Sequence, residues 1–334
     1  MSRKEQCRRG RRPGFPLELA GMNSIKLTTY STLAVAIAAG LALAATTRAA
    51  ETTTNDWKAG LISPVANPIY FEDARITSEV RPIFMQHWLP SQFDFAGGTA
   101  PLDGDVRVYA LQLRYALTER LALIATKDGY IEFKPEGVLA NDHSYGFADL
   151  AFGLKYALID SAEHQLLITP GLTITIPTGN DQVFQGDGAG EWNLFVSAVK
   201  GFDDLHVTGN LGFRIPNDFS EQTAQVHYSL QVDYRTCDYF IPFICLNGYT
   251  MLTDGNDLLP VASGAVSVPL NTEMYDLINY GSSEVAGTTQ IVLGAGLRSN
   301  LTKEFSVGVA YEVGTSTHVG IFDSRLTVDS ILRF

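Results

Sequence analysis

From residue 74 onward, apolar and polar side chains alternate with a period of two, the mark of strands whose two faces meet different surroundings. Leu150, Phe152, Leu154, Tyr156 and Leu158 fall on one face, with Asp149, Ala151, Gly153 and Lys155 on the other. The same rhythm returns at 222–236, 287–299 and 304–314. Twelve segments read this way: 74–90, 105–117, 121–134, 145–160, 164–178, 189–202, 205–216, 222–236, 239–253, 287–299, 304–314 and 323–334. Most reach the roughly 9–11 residues that a tilted strand needs to cross a bilayer. Alternation is broken in 121–134 and in 239–253, where Pro242 interrupts the start.

The connections sharpen the picture. Those at 91–104, 135–144, 179–188, 217–221, 254–286 and 315–322 are long. Those between them (118–120, 161–163, 203–204, 237–238 and 300–303) are short. A transmembrane barrel alternates in this way because short turns face the periplasm and longer loops face outside. The sequence therefore predicts an all-β fold, a transmembrane antiparallel up-and-down β-barrel of about 12 strands over residues 74–334, set in bacterial outer-membrane lipid. The long, partly apolar 254–286 is read as a loop, a lid or collecting site for hydrophobic solutes. Two further strands there would make the barrel 14-stranded.

Aromatic placement says which face is out. Tyr109 and Tyr115, Phe152 and Tyr156, Tyr228 and Tyr234, and Phe305 and Tyr311 all lie on the apolar face, several of these pairs near opposite strand ends, as interfacial girdles require. The other face is polar and glycine-rich and lines the lumen. The residues expected to point inward and line the pore are Arg75, Glu79, Arg81, Gln112, Arg114, Asp149, Lys155, Glu191, Arg214, Asp233, Arg298, Glu312, Arg325, Asp329 and Arg333. Strand spacing of ~4.8 Å and tilt of ~40° give a backbone radius of roughly 12 Å, so side chains leave a passage of ~10 Å or less. Both charge signs are present, which predicts ion pairs across the lumen instead of the one-sign ring of a selective ion pore.

The first 73 residues stand apart. A polar, positive start at Asn23–Lys26, an apolar run from Leu33 to Ala45 and small residues up to Ala50 describe a secretory signal peptide over 22–50. Upstream, residues 1–21 carry Arg8, Arg9, Arg11 and Arg12; a twin-arginine export signal is one reading and an over-extended start, with Met22 as the first residue, is the plainer one. Residues 51–73 lack clean alternation and are either a plug in the lumen or a disordered periplasmic lead. Of 24 Lys/Arg and 36 Asp/Glu, eight and two fall in the first 50 residues, leaving 16 and 34 and a net charge of −18. A surface so acidic repels phosphate backbones, so nucleic acid is not an expected partner.

The chain closes on Leu326 to Phe334, an alternating strand with an aromatic last residue. It resembles the terminal strand by which outer-membrane proteins are recognised, and implies the barrel-assembly machinery as a partner through Phe334. Three further motifs, Gly146–Tyr156, Ile174–Gly179 and Leu246–Thr250, resemble the MetA-pathway phenol-degradation family of outer-membrane barrel transporters. That resemblance implies passive uptake of small hydrophobic or aromatic compounds. A structural or adhesive barrel with a closed lumen and a general small-solute porin remain the alternatives.

Candidate chemistry is sparse. Asp103 and Asp105, with Asp142 and His143, faintly resemble the aspartate and histidine pairs of the outer-membrane protease family, but the adjacent second pair has the wrong spacing, and aspartates are ordinary loop-turn residues. Asp181, Asp187, Asp254, Asn256 and Asp257 offer oxygen ligands without the spacing of a calcium loop. No catalytic residue, metal or cofactor is expected, and the chain is read as no enzyme. Cys237 and Cys245 either pair or stay as two small unpaired residues.

Overall fold

In the computed structural model the described residues are 57–95, 98–140, 142–256, 258–260, 267–269, 272–315, 320 and 322–334. The expected start and signal peptide, 1–50, lie outside them. Twelve strands form one closed sheet: β1 (Glu79–Trp88), β2 (Gly104–Ala116), β3 (Leu121–Lys127 and Tyr130–Pro135), β4 (Ser144–Phe147, Leu150–Tyr156 and Ile159–Ser161), β5 (Leu166–Ile176), β6 (Glu191–Phe202), β7 (Leu205–Pro216), β8 (Gln225–Tyr234), β9 (Ile241–Met251), β10 (Thr289–Asn300), β11 (Phe305–Gly314) and β12 (Ser324–Arg333). Every neighbouring pair is antiparallel, and β1 pairs with both β2 and β12, so the barrel leaves no free edge. The short connections span at most six residues (235–240) and the long ones at least eight (136–143 and 217–224). The short turns share an end with Glu79 and Arg333, which is therefore the periplasmic end.

The lipid face is apolar as expected. Tyr109, Leu111, Leu113, Phe152, Leu154, Leu194, Leu230 and Val328 are all exposed on the outer wall. Aromatic contacts mark its extracellular rim, with Phe84 against Tyr109, Trp88 against Tyr311, and Tyr130 between Tyr145 and Phe147.

Three strand boundaries differ from the sequence reading. The first strand begins at Glu79 and not at 74, so Arg75 belongs to the segment that precedes the barrel. β3 is interrupted at Asp128 and Gly129. Between the pairs Leu113–Ala125 and Tyr109–Tyr130 it carries one residue more than β2, a bulge. Gly129 sits there at φ +117°, and a Cβ would come within 2.5 Å of the Tyr109 carbonyl oxygen, so only glycine fits. Asp128 caps the break by accepting a hydrogen bond from the Leu111 amide. β4 is interrupted in the same region, at Ala148 and Asp149. The long 252–288 connection adds no strand to the barrel; it holds a separate hairpin, Leu258–Pro260 with Ser267–Pro269, and then turns inward.

Two stretches of chain fill the lumen. Residues 61–75 enter from the periplasmic end, and every residue from Leu61 to Arg75 is buried. Residues 272–282 come down from the extracellular end, burying Met274, Tyr275, Leu277, Ile278 and Tyr280. In the outer half these meet inward apolar residues that the alternation does not announce: Ile83 and Met85 of β1, Val106 and Val108 of β2, and Ile131 and Phe133 of β3. Nearer the periplasm, Ile62, Val65 and Ala66 pack on Ile241, Phe243 and Ala310.

Candidate functional site: the occupied lumen

Thirteen of the fifteen residues expected to line the pore are buried on the inner wall: Glu79 and Arg81 on β1, Gln112 and Arg114 on β2, Asp149 in the break of β4 and Lys155 on β4, Glu191 on β6, Arg214 on β7, Asp233 on β8, Arg298 on β10, Glu312 on β11, and Arg325 and Asp329 on β12. Arg333 lies half-buried at the periplasmic rim, 3.2 Å from Glu79. Arg75 sits on the inserted segment, where its guanidinium binds Asp73 two residues before it at 2.6 Å.

The wall cations hold the N-terminal segment. Arg114 grips Glu72 with both arms of its fork, Nε to Oε1 at 2.9 Å and Nη2 to Oε2 at 2.6 Å. Lys155 Nζ donates to the same carboxylate at 2.7 Å and to the Asp73 carbonyl at 2.7 Å. Arg81 donates to the Pro64 carbonyl at 2.6 Å, Gln112 to Pro68 at 2.7 Å and Arg298 to Ser63 at 3.0 Å. The hydroxyls of Thr169 and Ser197 donate to the carbonyls of Ala74 and Glu72. Asn67, at φ +48°, reverses the direction: its amide nitrogens donate to Glu312 and Ser229. Burial alone would raise the Glu72 carboxyl, but the charges of Arg114 and Lys155 and their hydrogen bonds outweigh it and hold it at about 2.

The extracellular segment is held by the same kind of contact. Arg325 bridges Glu312 on β11, at 2.8 Å, to Asp276 of the segment. Gln225 and Arg214 both donate to the Tyr275 carbonyl, at 2.8 and 3.3 Å. Asn279 donates to Glu191 at 2.5 Å. Glu273 accepts the Tyr280 and Ser282 amides at 2.9 and 3.0 Å; burial raises its carboxyl, against the pull of Arg214 and these hydrogen bonds.

The two segments share wall residues. Arg214 Nη1 reaches the Tyr70 hydroxyl at 3.5 Å from one segment and the Tyr275 carbonyl at 3.3 Å from the other. Glu312 takes the Asn67 amide at 3.4 Å and also the Arg325 guanidinium that binds Asp276. Tyr70 further stacks on His227, ring centroids 4.3 Å apart.

Glu72, Tyr70, Tyr275 and Asp276 are functional residues that the alternation could not supply, because they lie on chain without a strand period. Nor did it single out His206, which pairs with Asp233 at 2.8 Å, or Asn247, which donates to Glu312 at 2.8 Å, although both fall at inward positions. Cys237 is free and exposed at a periplasmic turn, and Cys245 is free and buried in the lumen. Among the described residues no cluster of metal-ligating side chains occurs. Asp254 caps the Val285 and Ala286 amides, Asp181 begins a short 3-10 turn, and Asp257 lies outside the described residues.

No family model matches the chain, and no curated protein does. Among solved structures, an outer-membrane channel from Pseudomonas putida F1 is similar over 82% of this chain and 100% of its own, at 16% identity and a TM-score of 0.52. The shared fold is a twelve-stranded outer-membrane β-barrel. The transport unit of the autotransporter AIDA-I from Escherichia coli (11% identity, 85% of this chain and 100% of that one, TM-score 0.47) and the KdgM porin (10%, 77% and 99%, 0.41) also align. Closed sheet, apolar outer belt and polar filled lumen place the protein in the bacterial outer membrane.

Proposed function

We propose that this barrel is a gated channel for small solutes, closed in this state by its own two inserted segments. The observation that carries the reading is what fills the lumen. The closing material is chain that enters from either end and is held by side-chain hydrogen bonds, and it is not paired into the sheet. Chain of that kind can withdraw while the sheet stays closed. On this reading the thirteen buried wall residues, with Arg333 at the rim, line the passage once the segments move, and residues 61–75 act as a plug. Phe334, exposed beside the periplasmic rim, is the contact offered to the assembly machinery.

The finer expectation of hydrophobic or aromatic solutes rests on the resemblance to the MetA-pathway family and on the apolar outer half of the lumen. A closed scaffold is the second reading, favoured by the buried ion pairs of Arg81, Arg298 and Asp329. Single-channel recording of the refolded protein in a planar bilayer separates the two. Intermittent openings, made frequent when either segment is loosened, are expected of the channel. Permanent silence from folded protein, including variants with both segments loosened, would establish the scaffold.

A further inference from the structure

The bonds between wall and N-terminal segment run mostly one way: the wall donates and the segment accepts. At one place the wall presents more than scattered donors. Arg114 and Lys155 converge from β2 and β4 on a single carboxylate, with side-chain exposures of 1% and 0%, and that of Glu72 only 3%. A planar guanidinium fork plus an ammonium on one of the same oxygens is how proteins recognise a carboxylate.

The charge balance shows what happens when the segment leaves. Asp73 and Arg75 neutralise each other and depart together, so Glu72 is the uncompensated charge that the segment takes away. Arg114 keeps a distant partner in Glu79, 3.6 Å away, which also serves Arg333. Lys155 keeps none of the acceptors named above, since both are on the segment. Withdrawal leaves two cations that face the passage with the carboxylate between them gone, an arrangement that attracts an anion in its place. The withdrawn state is therefore favoured by any anion that takes the place of Glu72.

We propose that Arg114 and Lys155 form a carboxylate-binding site in the lumen, filled here by the protein's own Glu72, and that a small monocarboxylate solute competes with the segment for it. The proposal rests on the channel reading insofar as the segment must be able to withdraw. It adds the class of solute that favours withdrawal. Because Glu72 is tethered, its effective concentration is in the millimolar range or above, so the free solute must be supplied at tens to hundreds of millimolar.

The test uses the full chain in detergent micelles at constant ionic strength, with butyrate as probe and butyramide and chloride as controls. Trypsin cleavage after Arg75, which is buried in this state, reports withdrawal. Butyrate at 300 mM is expected to raise the cleavage rate at least threefold over both controls. In Glu72→Gln, or in Glu72→Ala should the first variant not fold, butyrate is expected to bind at least tenfold more tightly than to wild type by titration calorimetry. Adding Arg114→Gln should abolish that gain. Equal cleavage in butyrate and chloride, or equal butyrate affinity with and without the Glu72 carboxylate, overturns the site. Neither readout needs current: a silent bilayer counts against the channel alone, while a conducting channel indifferent to butyrate in both assays counts against the site alone.

Discussion

Single side chains in this lumen are strongly interdependent because nearly every charge is both buried and paired. Replacing Arg325 by leucine strands two carboxylates, Glu312 and Asp276, and should cost about 3–5 kcal/mol, read as a drop in the urea midpoint of barrel unfolding. Adding Glu312→Gln and Asp276→Asn should recover most of that loss; if the triple variant is no better than the single, the cost lies elsewhere. Glu72 makes a separate prediction from pH. Its carboxyl is held at about 2 against an ordinary 4.5, so the stability it lends to the seated segment is complete above 4.5 and lost as pH falls toward 2. Protection of residues 61–75 against hydrogen exchange, taken relative to the intrinsic rate at each pH, should therefore fall as pH drops from 4.5 to 2.5, and Glu72→Gln should flatten that fall. At this scale the wall was legible in advance, since Arg114, Lys155 and Arg325 stand at polar positions of alternating strands. Their wall partners Glu79 and Glu312 were legible too, but their partners on the inserted segments were not: Glu72 and Asp276 lie where no period says which way a side chain faces.

Among the elements, the strands were readable and the fillings were not. Lipid on one side and lumen on the other impose a period-two pattern over β4, β8 and β11, and short turns against long loops pointed to twelve strands, with fourteen left open by the long 254–286 stretch. The outer ends of β1, β2 and β3 escaped that logic because the alternation inverts there: Gln86, Asp105, Arg107, Glu132 and Lys134 lie on the outer face, while Ile83, Met85, Val106, Val108, Ile131 and Phe133 turn inward toward the inserted 272–282 stretch. The break in β3 followed from Asp128-Gly129, a pair that suits a bulge but does not declare one. The two inserted segments meet on Arg214 and on the Glu312–Arg325 pair, so each should stabilise the other. Replacing residues 272–282 by a glycine-serine stretch of equal length should speed hydrogen exchange at 67–72 at least fivefold. Unchanged exchange there would show that the segments act independently.

For the whole molecule, the two ends of the barrel differ in charge. The extracellular connections 89–103, 136–143, 177–190, 217–224, 252–288 and 315–323 contain 14 Asp/Glu and no Lys or Arg. Below that acidic rim, withdrawal of the segments would leave Arg114, Lys155 and Arg325 short of carboxylates. An anionic mouth in series with a wall on which cations and carboxylates balance passes ions more readily in one direction. The open state should rectify at 0.1 M salt and approach symmetry at 1 M, where the Debye length falls to about 3 Å; a symmetric current at 0.1 M would contradict this. The barrel's closing joint lies between β1 and β12. Its register runs Glu79–Arg333 and Val80–Leu332 and resumes at Ile83–Asp329, stepping over Arg81 and Pro82, and proline has no amide hydrogen to offer a ladder. Behind that gap, Arg81 and Arg298 converge on Asp329 while their remaining arms hold the carbonyls of Pro64 and Ser63. The segment is thus a clasp fastened across the joint from within. Arg81 takes part in both, pairing with Asp329 across the joint and donating to Pro64, so docking the segment and latching the first strand to the last are coupled.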